Sequence, residues 1–394
     1  MTHEQARRNI RLYTVYQIFR DPLFFGVILI LYLQQYGKLT LSEIYMMESI
    51  CLVGRMVLEI PSGAIADMLG RNLTIAIGTF LNFVHVGIDV FIDGPVLVWT
   101  ANIVWVVSFA LISGADSSLV VDSLKVVGEE SRFRHIQGKA NSYRWYLAAF
   151  CAIGASYLAE INMRIPFVIS AILMLIPFAV ALFFIEPPHK EEKKYTLLRH
   201  KQVMLKGIKV SFCDERLLWA MLFTVVVTVV SKIWFFSYNP YFKVVNLPLA
   251  YYGYVFFLLN IIAAVTSQKV ELLHRILGDF KSVVLMVLLL GVPILAMGMF
   301  SYQWCVLLAV LQNIVRGYLP PFIEHYQHGL YESETRATCA SVSSAVHGLG
   351  EVLMLGAYAL LLDQVTVQQA LIVLGVFTLL VGSLLIWRFR AISS

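Results

Sequence analysis

Gly63-Ala64-Ile65-Ala66-Asp67-Met68-Leu69-Gly70-Arg71-Asn72 places a carboxylate, two glycines and an arginine between two long apolar runs. Glycines at the ends of apolar helices permit a tight turn and a close helix approach. Asp67 and Arg71, four residues apart, can pair with each other or with neighbouring helix ends. Alone, the stretch reads as a short polar turn between two helices. What flanks it decides the fold.

The chain has 394 residues, 59% hydrophobic and 14% charged, whereas a soluble domain is roughly 45–50% apolar and about 25% charged. Such a composition belongs in a lipid bilayer. Residues 1–11 are polar, with Arg7, Arg8 and Arg11, and the long apolar run behind them lacks a small-residue cleavage site, so no cleavable signal peptide is expected. Cys51, Cys151, Cys213, Cys305 and Cys339 are odd in number and widely spaced, as free thiols are, without disulfide or metal spacing. No phosphate-cradling glycine loop and no nucleophile with a positioned base is present, which speaks against an ATP-driven pump and against an enzyme. No cofactor is implied. The basic stretches read as membrane topology, not nucleic-acid binding.

Runs of roughly 20 apolar residues, the length that spans a bilayer, occur twelve times. They cover about 12–36, 41–64, 73–92, 96–120, 139–160, 164–185, 216–243, 250–271, 281–300, 303–327, 337–362 and 367–388. The expectation is an all-α polytopic membrane protein of twelve transmembrane helices in two six-helix bundles, 1–185 and 216–394, joined by a polar linker over 186–215. Lys and Arg concentrate in alternate loops: Arg71; Lys125, Arg132, Arg134 and Lys139; the cluster from Lys190 to Lys209; Lys269, Arg275 and Lys281; Arg388 and Arg390. The opposite loops hold Lys38, Arg164 and Lys243. The positive-inside rule then puts both termini in the cytoplasm.

The two halves echo one another weakly. Gly70 has a counterpart in Gly278, within Glu271-Leu272-Leu273-His274-Arg275-Ile276-Leu277-Gly278-Asp279. The Gly63, Asp67, Gly70, Arg71 pattern, the six-plus-six runs and the degenerate second copy resemble the major facilitator superfamily over nearly the whole chain. Met68 and Asn72 stand where that family usually carries further basic residues. Leu58-Glu59-Ile60-Pro61-Ser62-Gly63, Ser113-Gly114-Ala115-Asp116 and Asp122-Ser123-Leu124-Lys125 look like its bacterial drug and small-solute exporters. The resemblance implies two bundles facing a central cavity, with Asp67, Arg71 and Asp122 forming a cytoplasmic latch.

Ionised side chains cost about 2.5–3.5 kcal/mol each at a membrane centre even on insertion scales, so those that occur need partners, water or a task. The candidates for substrate or proton coupling are Arg20, Asp21, Arg55, Glu59, Asp116, Arg144, Lys232, Arg316, His347 and Glu351. Arg55/Glu59, His85/Asp89 and His347/Glu351 are spaced to pair along one helix face, and a His beside a carboxylate can titrate near neutral pH. Asp21, in a run loosened by Pro22, is expected to meet Lys232 or Arg316 in one state of the cycle. Arg20 points about 100° away from Asp21 on a helix and is expected to serve another partner. Glu324, His325 and His328 read as a wet, charged mouth; no metal site is expected. Phe24, Trp145, Trp234, Tyr238 and Tyr318, with Phe25 and Phe235, are candidate cavity aromatics, suited to apolar or cationic solutes.

With these residues, the resemblance implies a secondary transporter in a bacterial inner membrane, expected to be a monomer, with a small-molecule substrate, protons as coupling ion and the lipid bilayer as its other partner. Proton-coupled efflux of amphipathic or drug-like molecules is the first expectation. Uptake or exchange of an anionic or zwitterionic metabolite is the alternative, because the candidates are rich in Arg and Lys. A non-transporting receptor or lipid-handling protein on the same scaffold is the third.

Overall fold

In lipid a single apolar segment satisfies its backbone only as a helix, and helix is what this chain forms. The computed structural model describes residues 1–21, 23–187, 208–330 and 336–393, without the side chains of Ile60, Arg134, His325, His328, Gly329, Arg336, Ala337 and Ser393. Most of the expected linker, and Pro22, lie outside the described residues.

The principal helices before the central stretch are α1 (His3–Phe19), α2 (Leu29–Gln35), α3 (Leu41–Leu69), α4 (Arg71–Val90), α5 (Pro95–Ile112), α6 (Ala115–Val127), α7 (Phe133–Ile161) and α8 (Arg164–Leu182). After it come α9 (Glu215–Val244), α10 (Leu249–Gln268), α11 (Val270–Met299), α12 (Ala309–Leu330), α13 (Arg336–Leu362) and α14 (Val367–Ser393). No strand occurs among the described residues. Starts are marked by caps: Thr2 with Gln5 and Thr40 with Glu43 form reciprocal capping boxes, and Asp214 accepts the N–H groups of Arg216 and Leu217.

Three runs differ from simple rods. The first, expected to be continuous over 12–36, is two helices separated by a stretch that starts at Arg20 and Asp21. Backbone freed in that break is re-satisfied locally, the Phe24 N–H donating to Ser170 Oγ of α8 at 3.3 Å. Helix α3 is bent by 48° between its parts Leu41–Glu59 and Pro61–Leu69, where proline removes a helix donor. Between α5 and α6, Gly114 takes a φ of +79°. By length and composition nine helices can cross a membrane among the described residues, ten when the bent α3 is one span. Of the twelve expected runs, the remaining two are the broken first one and α7, whose apolar run contains Arg144 and Glu160. The chain is an integral membrane protein.

The helices group into two compact units, Met1–Lys190 with Pro248–Asn260, and Glu191–Leu247 with Ile261–Ser394. In the first, α4 lies against α5 and α8, and α1 against α6, α7 and α8. Tyr13, Tyr16, Ile75, Leu119, Val120, Leu124 and Phe184 form a core there. In the second, α11 packs on α14 and α9 on α12, α13 and α14. Small residues bring α11 and α14 together: a Cβ on Gly291 would stand 2.6 Å from Leu379, and one on Gly375 would stand 2.7 Å from the Leu295 backbone nitrogen. Van der Waals fit of this kind replaces the hydrophobic drive that lipid removes.

Candidate functional site

The opening stretch builds the turn between α3 and α4. Gly70 has φ +85° and ψ 150°, a region that L side chains occupy only with strain. Its carbonyl accepts the Thr74 hydroxyl at 2.8 Å, and Glu186, just past α8, accepts the Asn72 N–H at 2.9 Å. Arg71 forms a salt bridge with Asp122 of α6, which also accepts Lys125 at 2.9 Å. Asp67 is exposed on the last turn of α3, and Gly63 faces open space. Arg71 and Asp122 of the expected latch therefore meet within the first unit.

The counterpart turn repeats the geometry. Gly278, inside α11, has φ +66° and ψ −179°, and its carbonyl accepts the Ser282 hydroxyl at 2.6 Å. Ser282 follows Gly278 as Thr74 follows Gly70. Its hydroxyl also meets Tyr318 at 2.7 Å.

Deeper in the first unit, Arg20 donates to Asp116 at 2.9 Å, and Gln17 donates to the same oxygen at 2.9 Å. Arg20 thus serves a partner other than its neighbour, although its Nε stays 3.7 Å from Asp21. Asp21 is held by Arg144 of α7. Tyr16, Arg20, Asp21, Trp105 and Phe109 border a cavity of about 50 Å³, space on the order of a water molecule or two. Arg55 stacks on Phe109, its guanidinium carbon 3.6 Å from the ring centre, and Glu59 is exposed. His85 donates from Nδ1 to the Ala101 carbonyl at 3.0 Å and turns Nε2 to Asp89 at 3.5 Å. Both are buried, as a self-contained pair would be.

A connected group occupies the second unit. On α9, Thr228 and Lys232 are one turn apart; on α13, so are His347 and Glu351. Thr228 Oγ1 lies 2.7 Å from His347 Nε2, His347 Nδ1 lies 3.7 Å from Glu351, and Lys232 donates to Glu351 at 2.6 Å. Two cavities flank this group, one bordered by His347 and the other by Thr228 and Lys232. One, of about 290 Å³, is lined by Met221, Thr224, Gln327, Ser343, Ser344 and His347 among others. The other, of about 280 Å³, is lined by Thr228, Ser231, Lys232, Phe235, Gln312 and Arg316, with Leu319 and Pro320. Arg316 sits over Phe235, 5.2 Å from the ring centre, and donates to Asn313 at 3.4 Å. Gln312 is fixed by donating to the Ser231 carbonyl at 2.9 Å and accepting from Tyr238.

Trp234, Tyr238 and Tyr318 are buried in helix packing, while Phe24 and Trp145 are half-buried. The ring on the wall of the second-unit cavity is Phe235. Hydrogen-bonding residues without charge escaped a reading tuned to ionised groups: Gln17, Thr228 and Gln312 here, and Asn9, which donates to Ser123 at 3.0 Å and to the Ile185 carbonyl at 2.7 Å. Among the described residues no three His, Cys, Asp or Glu side chains gather as a metal site. Glu324 is exposed; the His325 and His328 side chains lie outside the description.

No family model matches the chain. It is 23% identical over 364 residues to YxaM of Bacillus subtilis (strain 168), an uncharacterized MFS-type transporter, covering 86% of this chain and 85% of the relative. A crystal structure of a point variant of the nucleoside transporter NupG superimposes with a TM-score of 0.79 at 12% identity, covering 97% of this chain and all of that one. A bacterial homologue of the lysosomal transporter Spinster, inward-facing and unoccupied, gives a TM-score of 0.72 at 12% identity, covering 98% and 96%. A POT family transporter in complex with 5-aminolevulinic acid gives 0.73 at 13%, covering 98% and 97%. The fold is that of these transporters, and by sequence the chain is similar to a transporter of the MFS type. None of the four is an enzyme by name.

Proposed function

We propose that this chain is a proton-coupled secondary transporter working by alternating access, organised as two six-span halves joined through 186–215. The observation that carries the reading is the Thr228–His347–Glu351–Lys232 group, which is flanked by two cavities of the second unit. A carboxylate, an imidazole and an ammonium in mutual reach exchange protons and partners at little cost in desolvation. A purely structural pair needs no cavities beside it.

Two cargo readings follow. The exporter-like stretches around Leu58–Gly63, Ser113–Asp116 and Asp122–Lys125 support proton-driven efflux of amphipathic or drug-like molecules. The cavity walls, with Lys232 and Arg316, support uptake or exchange of an anionic or zwitterionic metabolite, and the geometry favours this second cargo. In either case the chain acts as a monomer in a bacterial inner membrane with both termini cytoplasmic.

Purified protein in liposomes, with a pH gradient imposed and a pH-sensitive dye inside, tests the transport claim. Addition of a substrate is expected to move protons and solute together. If no solute of either charge moves, and labelled lipid crosses instead, the scaffold serves lipid handling and the proposal fails.

A further inference from the structure

The second-unit cavity has a chemistry specific enough to name the class of its occupant. We infer that, granted the transport reading above, it takes a small organic anion with a flat apolar body, whose anionic group displaces Glu351 from Lys232.

Charge is the first argument. In the central turns of the last six apolar runs the sequence has two fixed cations, Lys232 and Arg316, and one carboxylate, Glu351. Both cations stand on the cavity wall. A cationic solute entering there meets like charge at low dielectric, where repulsion is screened far less than in water. An anionic solute meets opposite charge on the same wall.

Shape is the second. Arg316 lies over the ring of Phe235 at 5.2 Å, a contact that keeps its guanidinium at the cavity wall. A guanidinium so placed offers paired donors to a carboxylate, sulfonate or phosphate. Phe235, Leu319 and Pro320 supply an apolar wall for a ring. The volume, about 280 Å³, is at the small end of the roughly 300–1,000 Å³ of small-molecule sites. That size suits a small metabolite.

The third argument is where Glu351 goes. It bonds Lys232 at 2.6 Å and faces His347 at 3.7 Å on the same helix. A bound anion can take over the Lys232 ammonium because His347 remains beside the released carboxylate. Cargo and Glu351 thus compete for one cation.

Full-length protein in lipid nanodiscs, titrated with benzenesulfonate, neutral benzenesulfonamide and cationic benzyltrimethylammonium, tests this. Binding is followed by thermal stabilisation and equilibrium dialysis. Benzenesulfonate is expected to bind and stabilise, and the other two are not. Arg316→Gln is expected to weaken the sulfonate by about tenfold, the worth of one charge-assisted pair. Glu351→Gln is expected to tighten it, since the competitor for Lys232 is gone. That variant also keeps the test open if Arg316→Gln does not fold. Binding of the ammonium or the amide as well as the sulfonate, no sulfonate binding, or weaker binding by Glu351→Gln overturns the inference. Ammonium flux in liposomes without sulfonate flux sinks the ligand class and spares the transport reading. Sulfonate binding without any flux does the reverse.

Discussion

At the residue scale the fold tolerates most of its intramembrane charges by giving them a neighbour of opposite charge or an aromatic face. Asp116 is nearly buried, and Arg20 and Gln17 share one of its oxygens. Removing one partner of such a pair leaves an uncompensated charge, at a cost of about 3–5 kcal/mol. Arg20→Gln is therefore expected to lower the melting temperature in detergent markedly, and Asp116→Asn added to it is expected to recover much of the loss. Additive losses in the double variant would show that the two residues do not act as a pair. Asp21 and Arg144 are different. Asp21 is 52% exposed, so the contribution of their bridge is expected near 1 kcal/mol or below.

The same scale shows what the sequence could and could not tell. Isolated charges in apolar runs stand out by type alone, and Arg20's alternative partner followed from the angle between adjacent helix positions. Which helix supplies a partner did not follow. Arg144 reaches Asp21 and Glu351 reaches Lys232 across packed helices, and only three-dimensional packing sets those meetings. Gln17, Thr228 and Gln312 were missed because neutral polar side chains carry a small transfer penalty and leave little trace in hydropathy.

At the element scale the two turns at Gly70 and Gly278 are the clearest sign of internal duplication. Both glycines have positive φ with extended ψ, and each carbonyl accepts a hydroxyl four residues on. The glycine was legible as a surviving repeat position; the matching hydroxyls were visible only with the backbone in hand. A Cβ on Gly278 would touch nothing within 4 Å, so Gly278→Ala isolates backbone strain. It is expected to cost about 1–3 kcal/mol, read as a lowered unfolding midpoint, and an unchanged midpoint would contradict the conformation described. The break in the first run could not be read from hydropathy. A window average passes smoothly over Arg20 and Asp21, although lipid does not.

The two charged bridges also correspond as elements. Asp21–Arg144 joins the first expected run to the fifth, and Lys232–Glu351 joins the seventh to the eleventh. In the expected six-plus-six order these are corresponding runs, with acid and base exchanged. Such an exchange keeps the bridge while reversing which helix carries the cation. In the second unit the cation, Lys232, lies on a cavity wall of about 280 Å³.

At the scale of the whole molecule, composition alone placed the chain in a membrane, and helices of spanning length bear that out. Orientation rests on the distribution of Lys and Arg, and one native thiol can test it. Among the five cysteines Cys213 is exposed and the other four are buried. It stands at the end of the basic central stretch, so a membrane-impermeant maleimide is expected to label it in inside-out vesicles and not in intact cells. Labelling in intact cells would reverse the topology.

In the proposed cycle the Glu351 carboxylate couples protons to cargo. Wild type and Glu351→Gln can be reconstituted in parallel, using whichever of benzenesulfonate and benzyltrimethylammonium the wild type moves. Accumulation driven by a pH gradient is then compared with exchange at equal pH. The variant is expected to lose gradient-driven accumulation, by about tenfold or more, and to keep exchange, since a side chain that cannot ionise cannot carry the proton step. Gradient-driven accumulation by Glu351→Gln at the wild-type rate would contradict the account.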